Sequence, residues 1–163
     1  MEYTLEIAAL TKDPEILIKI LKKRKNDGIS QCAAENPNCP PEILAEVLKR
    51  GKNNLVSWYA VKNSNCPPYI LAEVLRREKR NKISIYAAQN LNCPKDILVE
   101  VLRREKNDYV SKYAANNPNC PLEEKIKWMQ LTGQIEKEDE SKGHIIEYEN
   151  KKEDNFEDLK ELL

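Results

Sequence analysis

The sequence predicts an all-α fold, an α-solenoid of about four to five 27-residue repeats with two helices in each. Three observations predict it. Four cysteines, at 39, 66, 93 and 120, follow one another at intervals of 27 residues. Each lies in the frame Asn-x-Asn-Cys-Pro, and two helical patterns fill every interval. A constant period between about 20 and 50 residues is typical of a stacked repeat array.

A first helix, which we call helix A, follows the prolines of each frame. In residues 41–50, apolar side chains at 43, 44, 47 and 48 form one stripe of a helix. Pro41 suits the first turn, because a proline lacks the N–H that would have no partner there. Lys49 and Arg50 end the segment where the helix dipole favours cations. The same pattern precedes and follows at the 27-residue period.

A second helix, helix B, begins after an Asn or Asp that can cap its first turn. In residues 55–63, positions 56, 59, 60 and 63 have the spacing of one helix face and are expected to point into the core. The helix ends at the Asn-x-Asn-Cys-Pro frame, since proline cannot continue it. The four capping residues are Asp27, Asn54, Asn81 and Asp108.

The two ends of the array are altered copies, as expected where a terminal unit must face water. Residues 3–13 are interpreted as an incomplete helix B, and residues 122–131 as a final helix A that ends near Gly133. The repeat domain is therefore predicted to span 1–133. Residues 134–163 carry 11 acidic and 5 basic side chains, and we expect a flexible tail with a short terminal helix at 155–163.

Residues 113–121, Tyr-Ala-Ala-Asn-Asn-Pro-Asn-Cys-Pro, resemble the leucine-rich repeat variant family, as does the Pro-Glu-Ile-Leu-Ala-Glu-Val-Leu that follows the frame in another repeat. The resemblance covers roughly residues 10–125. It implies a HEAT-like helical solenoid that serves as an interaction scaffold, and it implies no reaction. The usual repeat of the family is a few residues shorter, and the clustered cysteines of the iron–sulfur module in some members have no counterpart here.

Composition argues against an enzyme. The chain has a single histidine, His144, and only four scattered glycines, so no phosphate-cradling loop or Cys–His pair is apparent. Equivalent cysteines in stacked helices lie about 8–10 Å apart, whereas sulfurs around one zinc ion lie within about 4 Å of each other. We therefore predict cysteines packed beneath the turns, without a metal or a cofactor. Five cysteines and no apolar run long enough for a membrane favour a reduced, cytoplasmic protein.

Comparison between repeats indicates a binding surface. Helix B keeps Ser and Ala at two positions in every repeat, but three positions spaced 0, +3 and +7 vary and share one face. Either this face is unconstrained by the fold, or it recognises a protein or peptide partner with Trp58, Ile85 and Tyr109 as anchors. The candidate partner-binding residues are Leu55, Trp58, Lys62, Lys82, Ile85, Gln89, Tyr109, Lys112 and Asn116.

An alternative function is nucleic-acid binding through a ridge of Lys and Arg at the ends of helices A, with the acidic tail as a competitor. Residues 1–133 carry 22 basic and 16 acidic side chains, most of the basic ones near these helix ends. The ridge could equally stabilise helix dipoles and solubility. A monomer, or a weak homo-oligomer through the terminal helix, is expected. The candidate polyanion-binding residues are Arg50, Arg76, Arg77, Arg80, Arg103 and Arg104.

Overall fold

The computed structural model describes residues 2–23, 25–77, 79–104 and 106–136. Within these ranges the chain forms ten α-helices and no strand, which confirms the all-α repeat architecture. The predicted helix at 155–163, and the tail beyond 136, lie outside the described residues. The helices are α1 (Leu5–Leu10), α2 (Pro14–Lys22), α3 (Gly28–Glu35), α4 (Pro41–Lys49), α5 (Leu55–Lys62), α6 (Pro68–Arg76), α7 (Lys82–Gln89), α8 (Lys95–Leu102), α9 (Tyr109–Asn116) and α10 (Leu122–Leu131).

The odd-numbered helices are helices B and the even-numbered ones are helices A. Each helix B packs on the helix A beside it and on the helix B of the next repeat, from α1 through α9. The incomplete first copy is therefore confirmed, because α1 packs on α3 as a helix B. The last copy is confirmed as well, because α10 packs on α8 as a helix A, with Gly133 at φ 71° two residues beyond its last residue.

Local sequence explains where the helices begin. Asp27, Asn54, Asn81 and Asp108 cap the four complete helices B, each accepting a hydrogen bond of 2.9–3.0 Å from the N–H of the serine three residues on. In α4 and α6 the proline that directly follows the frame, Pro41 or Pro68, occupies the first helical turn. Both features follow the sequence predictions.

The core lies between the two helix layers and runs the length of the array. Helices A contribute large side chains such as Leu44, Leu71 and Leu98, all fully buried. Helices B contribute small ones, since the repeated Ser and Ala positions are also buried. Small side chains let neighbouring helices B approach more closely than neighbouring helices A. Because a stack bends toward its more closely spaced layer, we infer that helices B form the concave side, and we call them the concave layer.

Candidate interaction surface

The first asparagine of each frame is structural. The side chain of Asn63 donates to the carbonyl oxygens of Ala34 and Asn36 in the preceding repeat, at 2.8 and 3.0 Å. Its own side-chain oxygen accepts from the N–H of Asn65 at 2.8 Å. The equivalent residues Asn36, Asn90 and Asn117 make the same kind of contacts. The first asparagine of each frame therefore bridges neighbouring turns.

The second asparagine and the cysteine complete the turn. Asn65 donates to the carbonyl oxygens of Pro37 and Cys39 at 2.6 and 3.1 Å, again in the preceding repeat. The N–H of Cys66 donates to the carbonyl of Asn63 at 2.9 Å, which closes the chain reversal. The asparagines and the cysteine of the frame are thus occupied by contacts within the array, whereas the residue between the two asparagines is exposed.

The cysteine side chains lie beneath these turns, as predicted. Cys39, Cys66 and Cys93 are buried, and Cys32 and Cys120 are partly exposed. Burial raises the pKa of Cys39, Cys66 and Cys93 to about 12, so these three thiols stay protonated at neutral pH. Within the described residues, no group of three or more His, Cys, Asp or Glu side chains is arranged to hold a metal ion.

Three arginines of the ridge join successive helices A. Arg77 donates to the carbonyl of Leu48 at 2.9 Å and pairs with Glu73 at 2.6 Å. Arg50 and Arg104 make the equivalent bonds to Leu21 and Leu75. In each case the guanidinium donates to a carbonyl in the last turn of the preceding helix A, where the regular helix pattern of bonds ends. The Leu48 carbonyl also accepts from the N–H of Gly51 at 3.0 Å. These three arginines therefore link neighbouring helices A. Stabilisation of the helix ends was one of the two roles that the sequence pattern indicated for the ridge.

The other three ridge arginines are paired with carboxylates as well. Arg76 contacts Glu100 at 3.1 Å and Arg103 contacts Glu124 at 3.2 Å, both across neighbouring helices A. Arg80 contacts Asp108 at 3.3 Å. All six arginines considered as polyanion-binding residues therefore lie within 3.3 Å of a carboxylate oxygen. The ridge is a mixed-charge surface and not a continuous positive one.

The concave layer exposes the variable residues of helix B unequally. Leu55 and Tyr109 are 41% and 42% exposed, and Trp58 is half-buried against the core. Lys62, Lys112 and Asn116 are exposed, and Lys82 and Gln89 are half-buried. We call the exposed side of α5, α7 and α9 the B face; it consists of Leu55, Trp58, Lys62, Lys82, Gln89, Tyr109, Lys112 and Asn116.

Ile85 does not belong to the exposed surface, and its prediction as an exposed anchor is wrong. It is only 5% exposed and forms part of the core. The reason is that position +3 of helix B points toward the next helix B. Trp58 occupies the same position, and its ring meets that of Tyr86 in α7 edge to face, with centroids 5.4 Å apart. Close spacing within the B layer therefore buries a side chain as short as isoleucine.

Lysines lie over the aromatic rings of the B face. The ammonium of Lys82 is 4.9 Å from the centre of the Trp58 ring, and that of Lys62 is 5.1 Å from Tyr86. Lys112 lies 5.7 Å from the ring of Tyr109 on its own helix. Such cation–π contacts restrict the motion of a flexible lysine side chain, and the lysine keeps its positive charge. The result is a set of positioned positive charges with apolar side chains between them.

A groove of about 450 Å³ opens between the N-terminal ends of α7 and α9. Ile85 and Val110 supply its apolar wall, Tyr109 stands at one side, and Lys82, Arg80 and Asp108 are its charged residues. Its volume lies within the range typical of sites that take a ligand or a large side chain. Arg80, considered first as part of the ridge, is better described as a residue of this groove.

Charge is divided between the two layers. The sequences of α5, α7 and α9 contain Lys62, Lys82 and Lys112 and neither Asp nor Glu. In contrast, α2, α4, α6, α8 and α10 each carry acidic side chains. Glu35 of α3 marks where the positive character of the concave layer ends. The B face is thus positive and partly aromatic, although the described array as a whole is mixed in charge.

Tyr86 is the residue of this surface that the comparison between repeats missed. It carries both the edge-to-face contact with Trp58 and the cation–π contact with Lys62. Tyrosine recurs at this position as Tyr59, Tyr86 and Tyr113, so a search for variable positions passes over it. Its half-buried state shows that a repeated residue can serve the core and the surface together.

Comparison with protein-family models, with curated proteins and with solved structures found no match. None of the helices described in residues 2–136 combines the length and the apolar character needed to span a membrane.

Proposed function

We propose that this protein is a non-catalytic scaffold that binds a protein or peptide partner with its B face. The observation that carries the proposal is the placement of Leu55, Tyr109 and half-buried Trp58 on the concave layer, next to positioned lysines. Exposed aromatic and aliphatic side chains on a rigid support are typical of interface anchors. Helical solenoids use extended concave surfaces for this purpose.

The resemblance to the leucine-rich repeat variant family agrees with this proposal, and membership of that family is itself part of it. The Asn-x-Asn-Cys-Pro frame that suggested the resemblance builds the turn between repeats. It leaves the helix B positions at 0, +3 and +7 to differ from repeat to repeat. A scaffold of this kind needs no catalytic residues, so the absence of enzymatic activity remains a prediction.

The pairing of the ridge arginines favours a protein partner over nucleic acid. Arginine binds phosphate through its planar set of N–H groups, and here the three more buried guanidinium groups already donate to a carbonyl and a carboxylate. Arg76, Arg80 and Arg103 are more exposed and pair with single carboxylates. Polyanion binding would have to displace these pairs.

A matched pair of double variants tests the B face. Leu55→Ser with Tyr109→Ser removes two exposed side chains of the concave layer. Tyr69→Ser with Leu122→Ser removes the same residue types from helices A, where they are 56% and 69% exposed. Both variants should keep wild-type helical content, because all four side chains are exposed and lie outside the core.

We expect the concave-layer variant to lose partners that the wild-type protein captures from a lysate, and the helix A variant to keep them. Circular dichroism and thermal unfolding confirm that both are folded. Equal capture by the two variants, or loss only in the helix A variant, would contradict the use of the B face.

A further inference from the structure

We infer that the partner of the B face is an acidic polypeptide segment that binds in an extended form along the concave layer. This inference rests on the proposed function and adds the chemistry of the partner. Its basis is the division of charge between the layers, together with the positioning of the B-face lysines on aromatic rings.

The charge of the B face is complementary to that of an acidic segment. Lys62, Lys82 and Lys112 lie on three successive helices B that contain no acidic residue. Asp108 is near, but its two oxygens cap the first turn of α9 and contact Arg80. A negatively charged partner therefore meets lysines on the B face without a carboxylate of α5, α7 or α9 beside them.

The spacing of the repeats matches an extended segment in the polyproline II conformation. Packed helices lie about 8–10 Å apart, and a polyproline II chain has three residues per turn and advances about 3.1 Å per residue. One repeat of the concave layer therefore corresponds to roughly three residues, or one turn, of such a chain. Every third side chain points to the same side, so a carboxylate at every third residue presents one charge to each repeat.

Apolar side chains of the concave layer can also contribute to binding of the segment. Leu55 and Tyr109 are exposed along the same face, and the groove between α7 and α9 has an apolar wall of Ile85 and Val110. An apolar side chain between two acidic residues can enter this groove, while the carboxylates remain near Lys82 and Lys112. The surface thus fits alternating acidic and apolar residues better than a uniform charge.

Single-stranded nucleic acid fits the same surface less well. Its bases bind by stacking on open aromatic faces, and lysine ammonium groups lie over the rings of Trp58, Tyr86 and Tyr109. The arginines that would hold phosphates are paired with carboxylates. One positioned lysine for each repeat is also sparse for a backbone that carries a charge at every nucleotide.

The test uses the full chain and fluorescently labelled probes. One probe is a peptide of about twelve residues with Glu at every third position and Leu and Ser between them, a length that covers roughly four repeats in the polyproline II conformation. A second has the same composition with its glutamates in one block, and a third is an oligouridine with the same number of charges. Residues 137–163 are themselves acidic and could compete, so all variants retain them.

The B-face variant combines Lys62→Gln, Lys82→Gln and Lys112→Gln. The matched control combines Lys22→Gln, Lys52→Gln and Lys79→Gln, which removes three exposed lysines near the ends of helices A. Both change the net charge equally. A third variant places Arg at the three B-face positions, which keeps the charge and the contact with the rings.

We expect the evenly spaced peptide to bind more tightly than the block peptide and than oligouridine. The B-face variant should lose at least tenfold in affinity, the control less than threefold, and the arginine variant should bind like the wild type. Equal losses in the B-face variant and the control, preferred binding of oligouridine, or no binding of either peptide would overturn the inference.

The failure of this inference is distinguishable from that of the proposed function. If the lysine variant still captures partners from a lysate while Leu55→Ser with Tyr109→Ser does not, the B face is an interaction surface for a partner that is not acidic. If neither variant affects capture, the proposed function fails as well.

Discussion

At the scale of single residues, the repeated cysteine contributes to stability by being a small, buried and neutral side chain. Cys66 is fully buried beneath its turn, and burial raises its pKa from the ordinary 9.0 to about 12. The folded chain therefore keeps a proton on this sulfur that the unfolded chain releases above pH 9. Folding stability from this group is complete below pH 9 and falls as the pH rises toward 12.

This linkage predicts a difference in pH dependence between two core variants. The free energy of unfolding of the wild type should fall above about pH 9 by up to about 1.4 kcal/mol per pH unit for each buried thiol. Cys66→Ala should remove one such contribution, whereas Val61→Ala, which also shortens a fully buried side chain, should keep the wild-type slope. Urea unfolding followed by circular dichroism between about pH 8 and 10.5 measures the slopes; equal slopes in the two variants would disprove the linkage.

At the scale of elements, the turns between helices carry most of the polar contacts between repeats. Asn63 is buried and donates to two carbonyls of the preceding repeat while it holds the N–H of Asn65. Buried polar groups that lose their partners cost far more than exposed ones. The two asparagines of one frame should therefore differ in importance, although the repeat preserves both.

Asn63→Ala should lower the free energy of unfolding by about 2–4 kcal/mol, because it removes the side-chain partner of two carbonyls and of one partly buried turn N–H. The Asn36 carbonyl keeps the N–H of Cys39. Asn65→Ala removes two donors from a more exposed site and should cost about 1 kcal/mol. Chemical denaturation of the two variants measures the difference. Losses of equal size would mean that burial does not decide the strength of these bonds.

Sequence reasoning predicted the elements better than the surface. Periodicity and capping residues place the helices because they depend on neighbours within one turn, and Asp27, Asn54, Asn81 and Asp108 act as predicted. The burial of Ile85 depends on the distance between neighbouring helices B, which a single helix pattern does not contain. The bond between Arg77 and the Leu48 carbonyl likewise joins groups 29 residues apart. Because the pattern of one helix does not contain such a contact, the sequence allowed two interpretations of the ridge.

At the scale of the whole molecule, the array is a chain of nearest-neighbour contacts. Helix B of one repeat meets helix B of the next, and the polar bonds of each turn reach one repeat back. Stability in such an array is approximately a sum over repeats and their interfaces. Removal of one complete period should therefore leave the remaining contacts intact.

Deletion of residues 63–89 joins Lys62 to Asn90 in register. The shortened protein should retain cooperative unfolding and a similar helical content per residue, with a free energy of unfolding lower by several kcal/mol. Deletion of residues 60–84 joins two halves of helix B that are displaced by two residues, or about 200° around the helix, and should prevent folding. Circular dichroism and urea unfolding compare the two; failure of the in-register protein to fold would contradict nearest-neighbour stability.

The asparagine side chains of every turn donate toward the N-terminal neighbour only. This one-way bonding has an evolutionary consequence. The asparagines of a duplicated 27-residue unit, inserted anywhere in the array by unequal recombination, would donate to the turn carbonyls of the preceding unit. The turn carbonyls of the inserted unit would in turn accept from the asparagines of the following unit. Lineages could therefore gain or lose units without compensating substitutions, and the length of the concave surface could change before its contact residues diverge.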